Sequence, residues 1–277
     1  MTEPDVVTYP PERHVLRDLG LTTELGPALV IRGEMPVGPE LRTPSGVTHA
    51  GALATLVDVM GGGLAATAAQ PDWIATADLT LHVLARRAVT CVDAVGRVIR
   101  RGRTTVVVDV ELTADGTELG LATMTFAILP RRDGNPVIPD TATDAVARMT
   151  MALPGSGFRQ PLEPSAGIVR TDPDAGRFHL PIADYVRNSL GAVQGGMMAT
   201  TAATAAEGAL SAAAGAPLAV VDLHVTYLTL AKVGPVRSDT RVLAATPEYG
   251  TAHVELVDEG ADDTVCTLVR ARGVRVP

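Results

Sequence analysis

THAGALATLVDVMGGGLAATAA, residues 48–69, decides how the chain folds. It reads as one long helix of small and apolar residues, with a single acid, Asp58, at its middle and three glycines directly after LVDVM. Gly61, Gly62 and Gly63 each cost roughly 1 kcal/mol against alanine in a helix interior, so they require a packing or functional return. Residues three and four away from Asp58 share its face: Ala54, Thr55, Gly61 and Gly62, with Gly51 a turn further back. All are small, which predicts an acid on a cleared face where a substrate could lie.

Working outward, ATADLTLHVLARRAV (75–89) alternates apolar and polar residues as a strand does. The same succession is written a second time. VQGGMMATTAATAAEGALSAAA (193–214) is another small-residue helix, and VVDLHVTYLTLAKVG (220–234) another strand. Asp78-Leu79-Thr80-Leu81-His82 aligns with Asp222-Leu223-His224-Val225-Thr226, an offset of 144, while His49 and Gln194 differ by 145. Three more strand-like runs follow in each half: TCVDAVGRVIR, TTVVVDVEL and ELGLATMTFAIL, then VRSDTRVLAAT, GTAHVELVD and TVCTLVRARGVRV. Turn signals such as ADG, PEYG and DEGADD separate them. An earlier strand precedes each helix, near ALVIRGEM and GRFHLPIA.

Each half therefore reads strand, helix, four strands. We place an N-terminal domain at 1–130, a Pro- and Gly-rich linker at 131–160 and a C-terminal domain at 161–277, with DAVARMTM (144–151) expected to be a helical turn in the linker. One long helix followed by antiparallel strands predicts an α+β fold in which a sheet wraps its helix, twice in tandem. The Ala-, Gly- and Thr-rich helices would let a curved sheet approach closely.

Composition narrows the function. Of 277 residues 46% are hydrophobic but only 3% aromatic, so the core must be aliphatic. The net charge of −8 argues against nucleic acid as a partner. No uninterrupted apolar run reaches membrane-spanning length and no signal peptide is visible, so a cytoplasmic protein without membrane association is expected. Cys91 and Cys266 have neither metal-ligand nor disulfide spacing and are expected to be buried small hydrophobes.

With these residues in place, each half resembles a hotdog-fold acyl-CoA thioesterase of the phenylacetate-degradation type (PaaI-like), and the whole chain a fused double hotdog. That family pairs two protomers across each site. One gives an Asn, six residues before a His-Gly-Gly at the helix start, and a glycine amide. The other gives an acid nine residues after the His, and a Ser or Thr just before an Asp-apolar-polar-apolar run. The first half here has His49-Ala50-Gly51, Asp58 and Thr76, with Thr43 where the Asn would be. The second has Asn188 and Gln194-Gly195-Gly196, with Ala203 and Val220 where the acid and hydroxyl would be. Crossing the halves as the family does leaves one full set, Asp58 and Thr76 with Asn188 and Gly195, and one depleted set.

The resemblance implies hydrolysis of an acyl or aroyl thioester of coenzyme A. Asp58 would be general base on water or a direct nucleophile, and Thr76 would hold the water. The Gly195 N–H would form an oxyanion hole with the Asn188 side chain as second donor or orienter, since glycine amides at a helix start are free donors in a positive end-field. Gln194, Gly196, His49 and Gly51 complete the expected substrate-binding set. Arg86 and Arg87 lead a basic cluster with Arg100, Arg101 and Arg103; they are exposed strand ends by default, or contacts for the coenzyme A phosphates. Glu207, one turn after Ala203, is expected to be a solvated or interface charge rather than a substitute acid. No metal or redox cofactor is implied, coenzyme A being part of the substrate, and a homodimer of double hotdogs is possible. The rivals are a hotdog dehydratase or hydratase, which would want a catalytic His with its acid, and a non-catalytic acyl-CoA-binding or sensing protein.

Overall fold

The computed structural model describes residues 9–132 and 147–276. The first half runs α1 (Val15–Asp18), β1 (Thr22–Gly26), β2 (Val30–Pro36), α2 (Ala50–Ala69), β3 (Trp73–Val83), β4 (Cys91–Arg101), β5 (Thr105–Ala114) and β6 (Thr117–Leu129). After β7 (Ala147–Thr150), the second runs α3 (Leu162–Ala166), β8 (Val169–Asp172), β9 (Arg177–Leu180), α4 (Gly195–Ala214), β10 (Leu218–Tyr227), β11 (Val236–Ala245), β12 (Tyr249–Asp258) and β13 (Thr264–Arg275). The repeat read from the sequence is present: each half is an antiparallel sheet wrapped around one long helix.

The two sheets are joined into one, in the order β7-β1-β2-β4-β5-β6-β3-β10-β13-β12-β11-β9-β8. The order is close to a mirror about the β3–β10 seam, where Leu79 pairs with Val225 and Leu81 with Leu223. The two aspartates that align the repeats meet across this seam. Asp78 accepts from His224 and Thr226, while Asp222 lies 2.8 Å from His82 Nδ1. These pairs are partly exposed and contribute little stability, but they fix the register of the join.

Both long helices lie against the inner face and touch each other near their N-termini. The contact is reciprocal. A Cβ on Gly51 would stand 2.4 Å from Thr200 Cα, and one on Gly196 would stand 2.4 Å from Thr55 Cα. Each threonine turns its hydroxyl back onto its own helix, Thr55 to Gly51 O and Thr200 to Gly196 O, both at 2.8 Å, so neither of these two buried hydroxyls is left unpaired. Leu53, Leu56, Met60 and Leu64 bury the rest of α2 under Leu79, Leu81, Met124 and Phe126. Each such side chain contributes ~2 kcal/mol.

The cleared face expected around Asp58 is thus largely filled by protein. Gly51 admits α4, and Gly61 admits Met124 Sδ, to which a Cβ would come within 2.7 Å. Gly62 alone of the four small neighbours faces open space. Among the described helices α2 has the length and apolar composition to cross a membrane, yet here most of it is buried. The apolar stretch is set by packing against α4 and the sheet, with one side open at Gly62 and Gly63.

The sequence expectation fails at the sheet edges. The described part of DAVARMTM is not helical: Ala147–Thr150 is strand β7, paired antiparallel to β1, while 144–146 lie outside the described residues. An edge strand leaves a row of backbone donors and acceptors open, and an extended segment satisfies them where a helix would not. Cys266 is buried, but Cys91 is only half-buried, with its Sγ 3.7 Å from Glu34 Oε1 at the start of β4.

The crossing yields a paired expectation. Gly51→Ala should lower stability by ~2–3 kcal/mol, because the new methyl meets backbone rather than a flexible side chain. Gly62→Ala, three turns on, should raise it by up to ~1 kcal/mol. Urea unfolding of the two variants checks both signs; equal effects would show that the helices do not cross at Gly51.

Candidate active site

The crossing of α2 and α4 decides where Asp58 lies. Thr55 rests on Gly196, so the residue three further along α2 reaches the first residues of α4. Asp58 is 8% exposed and held by the other half of the chain. Its Oδ2 accepts from Gln194 Nε2 at 2.7 Å, and the Gly196 N–H also donates to the carboxylate. Gly195 is so near that a Cβ there would be 2.9 Å from Oδ2.

Thr76 completes the grip, donating from Oγ1 to Asp58 Oδ1 at 3.1 Å. Simple alternation would turn it away. Leu79 and Leu81 are the buried residues of β3, so Thr76 should share the outer face with Asp78 and Thr80. A β-bulge between Thr76 and Asp78 shifts the parity and turns Thr76 inward. The second half carries the same bulge between Val220 and Asp222.

Burial pushes the Asp58 carboxyl up to about 6, against the pull of the Thr76 and Gly196 hydrogen bonds. Two tyrosines, unmarked as site residues in the sequence, stand close enough to feel its charge. Tyr227 on β10 donates its hydroxyl to Gly195 O at 2.9 Å. Burial, then the charge of Asp58, raises the phenols of both Tyr227 and Tyr9. Tyr9 packs edge-on against His14, centroids 5.2 Å apart, and His14 Nε2 is anchored 2.7 Å from Arg187 O. Their one legible signal is scarcity, since the chain has only four tyrosines.

The remaining predicted residues divide. Gln194 is both the cap of α4, its Oε1 accepting from Met197 N at 3.0 Å, and the clamp on Asp58. Asn188 does not reach the carboxylate. Its Oδ1 accepts from Leu190 N and Ala192 N and its Nδ2 faces Val193 O, so it shapes the turn that delivers Gln194. His49 caps α2 through Nδ1, on which Gly51 N–H donates at 3.0 Å, and burial lowers its pKa. The neutral ring then carries its proton on Nε2, facing Thr204 and Glu163. Gly51 belongs to the helix crossing. Arg86 and Arg87 lie beyond Val83, itself about 23 Å of strand from Thr76. Arg86 is bonded to Arg275 O, and Arg87 to Asp115 and Ala114 O. Glu207 is not the solvated charge expected: its carboxyl is buried inside the second half. Among the described residues no three His, Cys, Asp or Glu side chains converge as a metal site would need.

The arrangement offers a buried base, a hydroxyl and an amide that orient it, and a helix N-terminus beside it. Comparison with known proteins agrees with the fold and the class. Residues 45–121 match the thioesterase superfamily model, and residues 186–275 the acyl-CoA thioesterase N-terminal domain model. A protein of Thermobifida fusca YX assigned as a thioesterase II superposes with a TM-score of 0.61 at 16% identity, covering 96% of this chain and 99% of that one. A hotdog-fold protein from Alicyclobacillus acidocaldarius gives 0.60 at 14%, covering 95% and 99%. The tesB protein of Mycobacterium avium subspecies paratuberculosis gives 0.56 at 14%, covering 89% and 93%. At such identities the likeness shows the fold. A search of curated proteins gave no match. The chain thus carries two tandem hotdog domains of thioesterase type.

Carboxyl-selective NMR should find Asp58 titrating near pH 6. Thr76→Val should move that value upward by removing a donor to the ionised form. A value near the ordinary carboxylate range would show that the site is open to water.

Proposed function

We propose that this pair of hotdog domains is an acyl-CoA thioesterase of PaaI-like type, hydrolysing an acyl or aroyl thioester to the free acid and coenzyme A at one composite site. The observation that carries the reading is the grip of Gln194, Gly196 and Thr76 on a buried Asp58, acid from one half and helix start from the other.

In the reading we favour, Asp58 acts through water. Both of its oxygens are engaged by donors, which hold the carboxylate as an acceptor in a fixed direction rather than freeing it to attack. A water beside Oδ1 and Thr76 attacks the thioester carbonyl carbon and passes its proton to Asp58. The negative charge that develops on the carbonyl oxygen is met by the Gly195 N–H at the positive end of α4. Collapse breaks the carbon–sulfur bond, and Asp58 returns the proton to the departing thiolate. Charge and atoms balance without another reactant; we assign no metal or redox cofactor and place the activity in the cytoplasm. The dehydratase reading is disfavoured by His49, whose Nδ1 lone pair is spent on Gly51 and whose Nε2 can only donate.

Thiol release from a panel of acyl- and aroyl-CoA esters tests the reading. Asp58→Ala should lower kcat by ~10³-fold, the scale of a lost general base, whereas Glu207→Ala should leave most turnover. No turnover of any ester by the unaltered protein, or the reverse pattern in the variants, overturns it. Because the working form of Asp58 is the ionised one, kcat/KM should rise with pH up to a limb near 6 and level off above it.

A further inference from the structure

The second crossing has no acid at Ala203, yet the space is not an inert copy of the first. Thr204, beside Ala203, lies 3.3 Å from His49 Nε2 and donates to Glu163 Oε1 at 3.2 Å. Glu163, delivered by α3, pairs in turn with Arg170. One helical turn beyond Ala203 stands Glu207. Its Oε2 is closed off from solvent and has no hydrogen-bond partner among the described residues. The Val220 backbone lies against the same carboxyl, and Val220 is the counterpart of Thr76. Glu207 thus approaches the strand position that Asp58 uses in the other half, but from about 6 Å further along its helix.

Beside it opens a cleft of about 490 Å³. Pro173, Phe178, Ala212 and Leu218 supply apolar wall, and Arg170 and Glu207 polar groups. Burial lifts the Glu207 carboxyl to about 8, with the Val220 N–H acting against the rise and Glu163 adding to it. At neutral pH the group is then a neutral hydrogen-bond donor as well as an acceptor. Left unmet, a buried polar atom of this kind destabilises the fold. Glu207 also lines the mainly apolar cleft, and turning its carboxyl into that space would let a carbonyl oxygen carried on an apolar chain meet it.

We propose that the cleft beside Glu207 is a second ligand site, which takes the carbonyl end and apolar chain of a carboxylic acid, or of its coenzyme A thioester, without hydrolysing it. The choice of ligand rests on the thioesterase reading of the Asp58 site. The site binds without turnover because Ala203 offers no base against the α2 N-terminus, and Glu163 is committed to Arg170 and Thr204.

Calorimetric titration of the full chain with octanoate, phenylacetate and the thioether 2-oxononyl-coenzyme A, a ketone whose carbonyl is parted from sulfur by one methylene and which is not hydrolysed, separates the possibilities. The acids should bind at one site, and Glu207→Leu should weaken that binding at least tenfold. Glu207→Gln, which keeps a neutral donor, should retain it. Ala212→Trp, on the exposed wall, should block it even if the leucine variant fails to fold. Two equivalents of thioether in the unaltered protein and one in the variants would identify a thioester as ligand; one equivalent throughout, with the acids still lost, would identify the free acid. Binding of neither acid together with at most one equivalent of thioether overturns the proposal, as does binding indifferent to both Glu207→Leu and Ala212→Trp. If no thioester is hydrolysed while the acids still bind through Glu207, the thioesterase reading fails and this one stands.

Discussion

The structure depends on one contact, the backbone-to-backbone approach of α2 and α4 at Gly51 against Thr200 and Gly196 against Thr55. Any side chain at either glycine would part the helices. Their separation sets what the N-terminal turn of each can touch. Asp58 lies one turn past Thr55 and meets Gln194; Thr204 lies one turn past Thr200 and meets His49. Both pairings follow from the crossing and from helical periodicity. A site shared between the halves is therefore a consequence of how the helices pack.

A duplicated geometry with different side chains gives two different outcomes. At the first crossing a carboxylate meets a capping glutamine, a threonine turned inward by a bulge, and a glycine amide. At the second the carboxylate position is an alanine, the inward strand residue is Val220, and two glutamates enter from other places. Glu163 comes from α3, the counterpart of α1 in the other half, and Glu207 from the next turn of α4. The β3–β10 seam, by contrast, serves both halves alike, each repeat aspartate meeting a histidine of the other half, although His82 and His224 hold different places in the repeat. The join is under the same demand from both halves, whereas the sites are not.

The fold was legible because the repeat was. Two helices with matched spacing to two Asp-apolar-polar-apolar strands specify the order of elements and the register between halves. The edges were not legible, because β7 and β1 are short and their pairing depends on open backbone groups rather than on side-chain pattern. At the site, Asp58, Thr76 and Gln194 converge as the family resemblance implied, but the glycines around Asp58 had two readings that sequence could not separate. Space for a ligand and space for another backbone need the same residue, and here Gly51 and Gly61 serve packing. Asn188 and the arginines show a related limit. Their types fit anion or oxyanion recognition, while Asn188 is bound to amides of its own loop, Arg86 to a carbonyl at the end of β13, and Arg87 to the Asp115 carboxylate and a neighbouring carbonyl. Glu207 was misread because a charge after an alanine-rich turn looks solvated until the wall of Val220, Glu163 and Phe178 is known.

The chemistry of Asp58 rests on a balance between two opposed effects. Donors from Thr76, Gln194 and Gly196 favour the ionised form, and a carboxylate so held in open water would fall below its ordinary value. Burial between two helices and a sheet favours the neutral form and wins, leaving the group near 6. Stronger donation would leave a carboxylate too weakly basic to take a proton from water. Deeper burial without donors would leave it protonated at neutral pH, as happens to Glu207, whose one opposing hydrogen bond does not offset its burial. What separates the two buried acids of this chain is thus the number of donors that reach each of them.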